Sequence, residues 1–301
     1  MSNIGTISLD KIPNEILKVY SREAQLKALP LFVFGKFVEK KTQLGLEPGK
    51  TISFLKYNDV GNGKWLDEFT PVPRQSMSSS TVELSVRELA NSIQLTRMAS
   101  TTSYRDLLSD ISTLLARSYS RTIDEYLRDI FLSTANIQWA GGNTADNQVG
   151  AANVFNTNEI KDSVEVLKTL NVPPVYRGNS NHYICIAHPH QLRTLRDDNN
   201  WIRAREYVDP SDMYNGEVGR YENVVFIETT QMPKHVGLGQ GGIDLYSAVM
   251  FGDRAVGYAE TVPLEMVSDG AKDHGRFYSI GYYTVCGAGI VNDFIIEMRT
   301  A

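Results

Sequence analysis

Hydrophobic residues recur with a helical period from residue 103 to about residue 136, and this is the longest uninterrupted pattern in the chain. No glycine or proline interrupts it, and Ser103 with Asp106 forms an N-terminal capping signal. A helix of this length spans about 45–50 Å and needs another long element beside it. Its predicted apolar face contains Leu107, Leu108, Ile111, Leu114, Leu115, Tyr119, Ile123, Tyr126, Leu127, Ile130 and Phe131.

Residues 47–98, which precede this helix, have the pattern of an extended antiparallel β-ribbon. A strand-like run covers residues 51–57, and apolar and polar side chains alternate from Val82 onward. A long hairpin with little core of its own is marginally stable and needs a partner surface. We therefore expect the tip to be an intersubunit contact, while a hairpin folded back on its own domain remains the alternative. The expected contact residues are Trp65, Phe69, Pro71 and Pro73.

The first 46 residues are expected to form an N-terminal arm with a helix over about residues 13–29. Pro13 suits a first helical turn, and Pro30 ends the apolar pattern. Two interpretations stay open for this segment: a helix docked on its own domain, or an arm that reaches another subunit.

The part of the chain after the long helix mixes helices and strands. A Gly/Asn-rich loop over residues 141–150 indicates a domain boundary. A helix is expected over 157–170 and a helical turn over 191–197, with strands over 183–187 and 224–227. A strand pair follows, 246–251 with 255–259 around Gly252-Asp253, and then two more strands, 277–285 and 289–298, around Gly287. The pattern predicts an α+β fold.

Composition agrees with a folded, soluble, intracellular protein. The chain has 301 residues, of which 42% are hydrophobic and 22% charged, enough for one large or two medium domains. A net charge of −5 argues against a dedicated nucleic-acid binder. Cys185 and Cys286 are the two cysteines, so a reducing compartment is expected. Neither a signal peptide nor a run of about eighteen apolar residues is present, so no membrane association is expected.

One cluster of side chains offers metal chemistry: His182, Cys185, His188 and His190. Strand alternation places His182 and His188 on one face and Cys185 on the other, which disfavours a four-ligand site. His188-Pro189 is better explained as the end of a strand and the start of a helix. No nucleophile elbow, P-loop or dinucleotide fingerprint occurs. We therefore expect no catalytic, cofactor or metal residues, with a metal-dependent enzyme kept as the alternative from another class.

The order of arm, ribbon, long helix and mixed domain resembles the major capsid proteins of tailed bacteriophages, which have the HK97-like fold. One stretch resembles more specifically the family typified by the phage N-four capsid protein. It reads His188-Pro189, Leu195-Arg196-Asp197-Asp198, Trp201-Ile202, Tyr207, Asp209-Pro210, Asn215-Gly216-Glu217-Val218-Gly219-Arg220 and Val224-Val225-Phe226-Ile227-Glu228-Thr229.

This resemblance implies a shell-building protein without an active site. Residues 47–98 would be the extended E-loop over a neighbouring subunit, and 99–152 a peripheral domain with the spine helix. Residues 153–270 would form the axial domain, and 271–301 would return to the peripheral domain.

The implied partners are copies of the chain itself, in hexamers and pentamers of an icosahedral head that encloses double-stranded DNA. A separate scaffolding protein and a portal are expected, and a decoration protein is possible. The resemblance implies assembly in the bacterial host cytoplasm and a final place in the virion. An encapsulin-type nanocompartment, which encloses an enzyme instead of a genome, is the nearest alternative.

Overall fold

The computed structural model describes residues 32–41, 51–57, 61–66, 68, 71–72, 74–102, 107–177, 180–205 and 217–301. The helix expected over 13–29, the turn at Asn215-Gly216, and Phe69 and Pro73 of the ribbon lie outside these residues. The described α-helices are α1 (Arg97–Thr102), α2 (Leu107–Phe131), α3 (Thr157–Thr169), α4 (Pro189–Arg196) and α5 (Asn199–Arg205).

The described strands form three sheets. They are β1 (Glu39–Lys41), β2 (Thr51–Tyr57), β3 (Ser79–Ser85), β4 (Arg87–Thr96), β5 (Ile137–Trp139), β6 (Val175–Arg177), β7 (Ser180–Ala187), β8 (Glu217–Tyr221), β9 (Val224–Glu228), β10 (Lys234–His235), β11 (Leu245–Phe251), β12 (Val256–Lys272), β13 (Phe277–Ile290) and β14 (Ile295–Thr300). One sheet has the order β1-β12-β13-β4, and an eight-stranded sheet follows β5-β14-β11-β7-β9-β8, with β6 and β10 beside β7 and β11. The third sheet is the hairpin of β2 and β3. The α+β prediction is confirmed.

The long helix α2 is present and lies against the four-stranded sheet. Tyr119 meets Tyr282 of β13 edge to face, with 5.5 Å between ring centres. Leu114, which was expected on the apolar face, is 55% exposed, because its side chain lies beyond the stripe that the sheet covers. The helix also ends at Phe131 rather than near residue 136, since the chain turns there to enter β5.

The eight-stranded sheet is covered on both faces, as strand alternation requires. Ile184 and Ile186 of β7 face the core that contains α2, where Phe131 meets Phe251 at 4.6 Å between ring centres. The intervening side chains, including Cys185, face a second core beneath α3, α4 and α5. Neighbouring residues of one strand thus enter two cores.

The strand pair expected around Gly252-Asp253 is wrong, because its two strands do not pair with each other. β11 pairs with β7 and β14, whereas β12 pairs with β1 and β13, so the chain passes from one sheet to the other at Gly252-Asp253. Around Gly287 there is no turn, because β13 runs unbroken to Ile290 and the next strand begins at Ile295. The strand expected over 255–259 is also longer, and β12 extends to Lys272 with irregular register at three places.

The expected ribbon is divided between two structures. β2 and β3 form a hairpin, but β4 pairs along its length with β13 and is an edge of the four-stranded sheet. Only Val86 separates β3 from β4, so the hairpin leaves directly from the sheet edge. Within the described residues, no helix is long and apolar enough to cross a membrane.

Candidate intersubunit surface

The hairpin of β2 and β3 is anchored to the body at its base. Thr51 pairs with Ser85 at the base, and Tyr57 pairs with Ser79 at the far end. Phe54 and Leu84 are 2% and 6% exposed, while most other hairpin side chains face solvent. Burial of these two residues attaches the base and the middle of the hairpin to the body, whereas the described residues of the loop between β2 and β3 are exposed.

Glycines of the four-stranded sheet make this close approach possible. A Cβ atom at Gly287 would lie 2.3 Å from the carbonyl oxygen of Ser85, and one at Gly289 would lie 2.5 Å from Cδ2 of Leu84. Real Cβ atoms do not approach other heavy atoms so closely, so a larger residue at Gly287 would push the hairpin base away, whereas one at Gly289 would displace the end of the Leu84 side chain.

The tip of the hairpin presents apolar side chains to solvent. Trp65 has 103% relative exposure, and Val72 and Met77 are 72% and 71% exposed. Pro71, the other described residue of the expected contact set, is exposed as well. Exposed apolar side chains in the loop at the end of a hairpin are typical of a protein contact site.

Residues 32–41 connect the long helix to the base of the hairpin. The Asp124 carboxylate of α2, fully buried, accepts hydrogen bonds from the backbone N–H groups of Val33, Phe34 and Gly35. At the other end, the Lys41 ammonium donates to the carbonyl oxygen of Ser53 at 3.1 Å. Burial raises the pKa of the Asp124 carboxyl, while the three N–H groups oppose that rise.

The histidine and cysteine side chains that suggested metal chemistry have other surroundings. Cys185 is fully buried in the core beneath the helices, and this burial raises the pKa of its thiol. His188 caps α4 by accepting from the His190 N–H at 3.1 Å, and the His190 ring stacks on Tyr246. Within the described part of the chain, no three His, Cys, Asp or Glu side chains are grouped to hold a metal ion.

A partly buried polar network ties the Gly/Asn-rich loop to the eight-stranded sheet. Glu297, 1% exposed, accepts from Arg299 at 2.9 Å and from the Ser247 hydroxyl at 2.6 Å. Arg299 also donates to Asp146 of the loop at 2.7 Å. His235 lies 2.9 Å from the Ser247 hydroxyl, but Ser247 is fully buried and therefore presents no accessible nucleophile. The network holds the loop in place.

Asp198 has a structural role that the sequence did not predict. One of its carboxylate oxygens accepts from the N–H and hydroxyl of Thr157 at 3.0 and 2.7 Å, at the start of α3. The other accepts from the Asn200 N–H at 2.9 Å, at the start of α5. Within the stretch that carries the capsid resemblance, Trp201 is also fully buried against Gly219. The described residues of that stretch form a packed module.

The sequence model of the phage capsid protein family matches residues 124–291, more than half of the chain. The chain belongs to the phage capsid protein family. A search of curated proteins found no significant match. Among solved structures, the capsid of Ralstonia phage GP4 superimposes with a TM-score of 0.73 at 16% identity, covering 87% of this chain and 86% of that one. The capsid asymmetric unit of cyanophage Pam1 has a TM-score of 0.73 at 11% identity, covering 100% and 95%.

The head structure of Helicobacter pylori bacteriophage KHP40 has a TM-score of 0.68 at 13% identity and covers 87% of this chain and 86% of that one. These structures show the fold, and the expected HK97-like architecture is confirmed. This member of the phage capsid protein family is a major capsid protein that forms the phage head shell, so its place is in the virion. The encapsulin alternative gains no support over this function.

Proposed function

We propose that copies of this capsid protein associate as hexamers and pentamers of a shell that encloses double-stranded DNA, and that the chain has no enzymatic activity. The observation that carries this proposal is the hairpin, whose buried base and apolar tip suit a contact with a second copy. Each subunit of a shell makes several moderate contacts, so linkage among them gives a stable assembly.

The hairpin tip is the proposed contact, and it comprises Trp65, Phe69, Pro71 and Pro73. Trp65 supports this role because an aromatic side chain with 103% relative exposure gains most from burial in a partner surface. The free tip also disfavours the alternative in which the whole hairpin folds back on its own domain, since only Phe54 and Leu84 of β2 and β3 are buried.

The proposed division of the subunit follows the family resemblance. Residues 47–98 would be the E-loop region, 99–152 the peripheral domain, 153–270 the axial domain, and 271–301 a return to the peripheral domain. The pairing of β12 with β13 supports one refinement, in which residues 256–270 join the peripheral domain. The arm is proposed for residues 1–46, of which residues 32–41 contact the long helix and β12.

The remaining partners belong to head assembly. We propose a separate scaffolding protein and a portal, with a decoration protein as a further possible partner, and assembly in the cytoplasm of the bacterial host. The enclosed DNA is held without sequence-specific contacts, in keeping with the net charge of −5.

Particle contents test the proposed function. Particles purified from infected cells are treated with nuclease, and the protected contents are extracted after the shell is opened. Double-stranded DNA is the expected content, whereas protein cargo without DNA would support a nanocompartment.

Expression of the chain alone tests the proposed scaffolding protein, because the chain alone is expected not to form shells of normal size. Normal shells formed by the chain alone would contradict the proposal that a separate scaffolding protein is needed.

A further inference from the structure

Three consecutive backbone N–H groups converge on one buried carboxylate in the C-terminal half of the long helix. Phe34 N–H lies 2.8 Å from Oδ1 of Asp124, and the N–H groups of Val33 and Gly35 lie 3.1 and 3.3 Å from the same oxygen. Val33 also lies 3.2 Å from Oδ2. These residues begin the 3₁₀ turn Phe34–Lys36, and Val33 provides no side-chain cap of its own. Asp124 therefore caps this turn from a helix 90 residues further along the chain.

The capped turn starts a segment that reaches the hairpin base within a few residues. After the turn, Lys40 pairs with Tyr258 in the parallel register of β1 and β12. The next residue, Lys41, donates to the carbonyl oxygen of Ser53 and places its ammonium 4.3 Å from the centre of the Phe54 ring. Residues 32–41 thus touch the long helix at one end and the hairpin base at the other.

We propose that Asp124 is a positioning residue for assembly, which sets the placement of residues 32–41 and, through them, of the hairpin base. This inference rests on the proposed role of the hairpin as an arm between subunits. A carboxylate suits the task because its charge-assisted bonds to N–H groups are about twice as strong as neutral ones. It also offers one oxygen to all three N–H groups, which a hydrophobic side chain at this site cannot do.

The direct test is hydrogen exchange, resolved to single residues, on the full-length unassembled chain. In the wild type the amides of residues 33–35 should exchange slowly. In Asp124→Leu their exchange should become about 10-fold to 100-fold faster, because each loses its acceptor. Asp124→Asn retains an oxygen at the Oδ1 position and should restore much of the protection. Asp129→Leu is the matched control, since Asp129 lies on the same helix with a side chain that is 64% exposed.

Assembly, measured by sedimentation velocity under conditions in which the wild type forms shells, is the second readout. We expect it to fall in Asp124→Leu, to recover in Asp124→Asn and to stay unchanged in Asp129→Leu. Unchanged exchange at residues 33–35 in Asp124→Leu would overturn the proposal. Unchanged assembly despite fast exchange would also overturn it.

If Asp124→Leu fails to fold, hydrogen exchange in the wild type and in Asp124→Asn tests the proposal instead. Slow exchange at residues 33–35 in both proteins supports the proposal, and fast exchange in the wild type overturns it. The exchange measurement does not depend on assembly. If the hairpin is not an arm between subunits, replacing Trp65 with serine should leave assembly normal. Exchange at the amides of residues 33–35 should then be normal too, so this failure is distinguishable from a failure of the Asp124 proposal.

Discussion

At the level of single residues, Asp198 joins the starts of two helices. One of its oxygens accepts hydrogen bonds from Thr157 at the start of α3, and the other accepts one from Asn200 in α5. Each helix thus gains an acceptor for an otherwise unpaired N–H group. Burial alone would raise the pKa of Asp198, but the hydrogen bonds from Thr157 and Asn200 outweigh it and hold the pKa below its usual range. In the sequence the pair Asp197-Asp198 resembles ordinary solvated surface, because the partner Thr157 is 41 residues away.

Asp198→Ala is expected to lower the free energy of unfolding by about 2 kcal/mol, since it removes a cap and the bonds to Thr157. Urea unfolding at neutral pH measures this loss. The folded-state pKa is depressed, so the contribution of the carboxylate is present at neutral pH and is lost as the pH falls through that pKa. The difference between wild type and variant should therefore shrink below about pH 4.

Asp197→Ala is the control for this residue, because Asp197 is exposed beside it. It should change the free energy of unfolding by no more than about 0.5 kcal/mol. Equal losses in the two variants, or a loss in Asp198→Ala that does not depend on pH, would contradict the capping role.

At the level of elements, the hairpin depends on glycines in a strand that it does not pair with. Gly287 of β13 lies beneath Ser85, where a Cβ atom would come within 2.3 Å of a backbone oxygen. Two glycines near the end of a strand pattern predict a turn, and the sequence alone offers no means to distinguish a turn from a close approach. In the structure Gly287 allows a close approach of the backbone and not a turn, because the hairpin base occupies the space above it.

Gly287→Ala is expected to shift the hairpin base and to lower the free energy of unfolding by about 1–3 kcal/mol, the usual effect of overpacking. Denaturant unfolding measures the stability, and faster tryptic cleavage after Lys56 of β2 reports the shift. Gly63→Ala is the control, since no atom lies within 4 Å of a Cβ atom placed there. Unaltered cleavage and stability in Gly287→Ala would mean that the base is not held by this contact.

At the level of the whole molecule, a folded body carries an arm whose tip has few contacts of its own. The long helix shares a buried core with the four-stranded and eight-stranded sheets, and Phe54 and Leu84 of the hairpin are buried, whereas Trp65 is fully exposed. Folding and assembly should therefore respond to different residues.

Trp65→Ser is expected to leave the melting temperature of the subunit unchanged and to reduce assembly more than about 10-fold, since buried aromatic anchors often contribute 2 kcal/mol or more to an interface. Thermal unfolding and sedimentation velocity measure the two effects. Lys64→Ser is the control at the same tip, because it removes a charge but no aromatic surface. A lower melting temperature in Trp65→Ser would instead place the tip in the core of its own subunit.

Local sequence patterns by themselves determined several helices and strands of this protein. The long helix, α3, the strand β9 and the helix start at His188-Pro189 were predicted because helical period, alternation and capping depend on residues a few positions apart. The α+β class follows from the same local signals, and the capsid assignment was reached through family resemblance.

Only the tertiary structure decided which elements meet. β11 and β12 are neighbours in the sequence but join different sheets, and β4 leaves the ribbon to pair with β13. The partners of Asp124 and Asp198 lie 90 and 41 residues away. Such contacts depend on the packing of whole elements, and neither period nor composition of one segment contains that information.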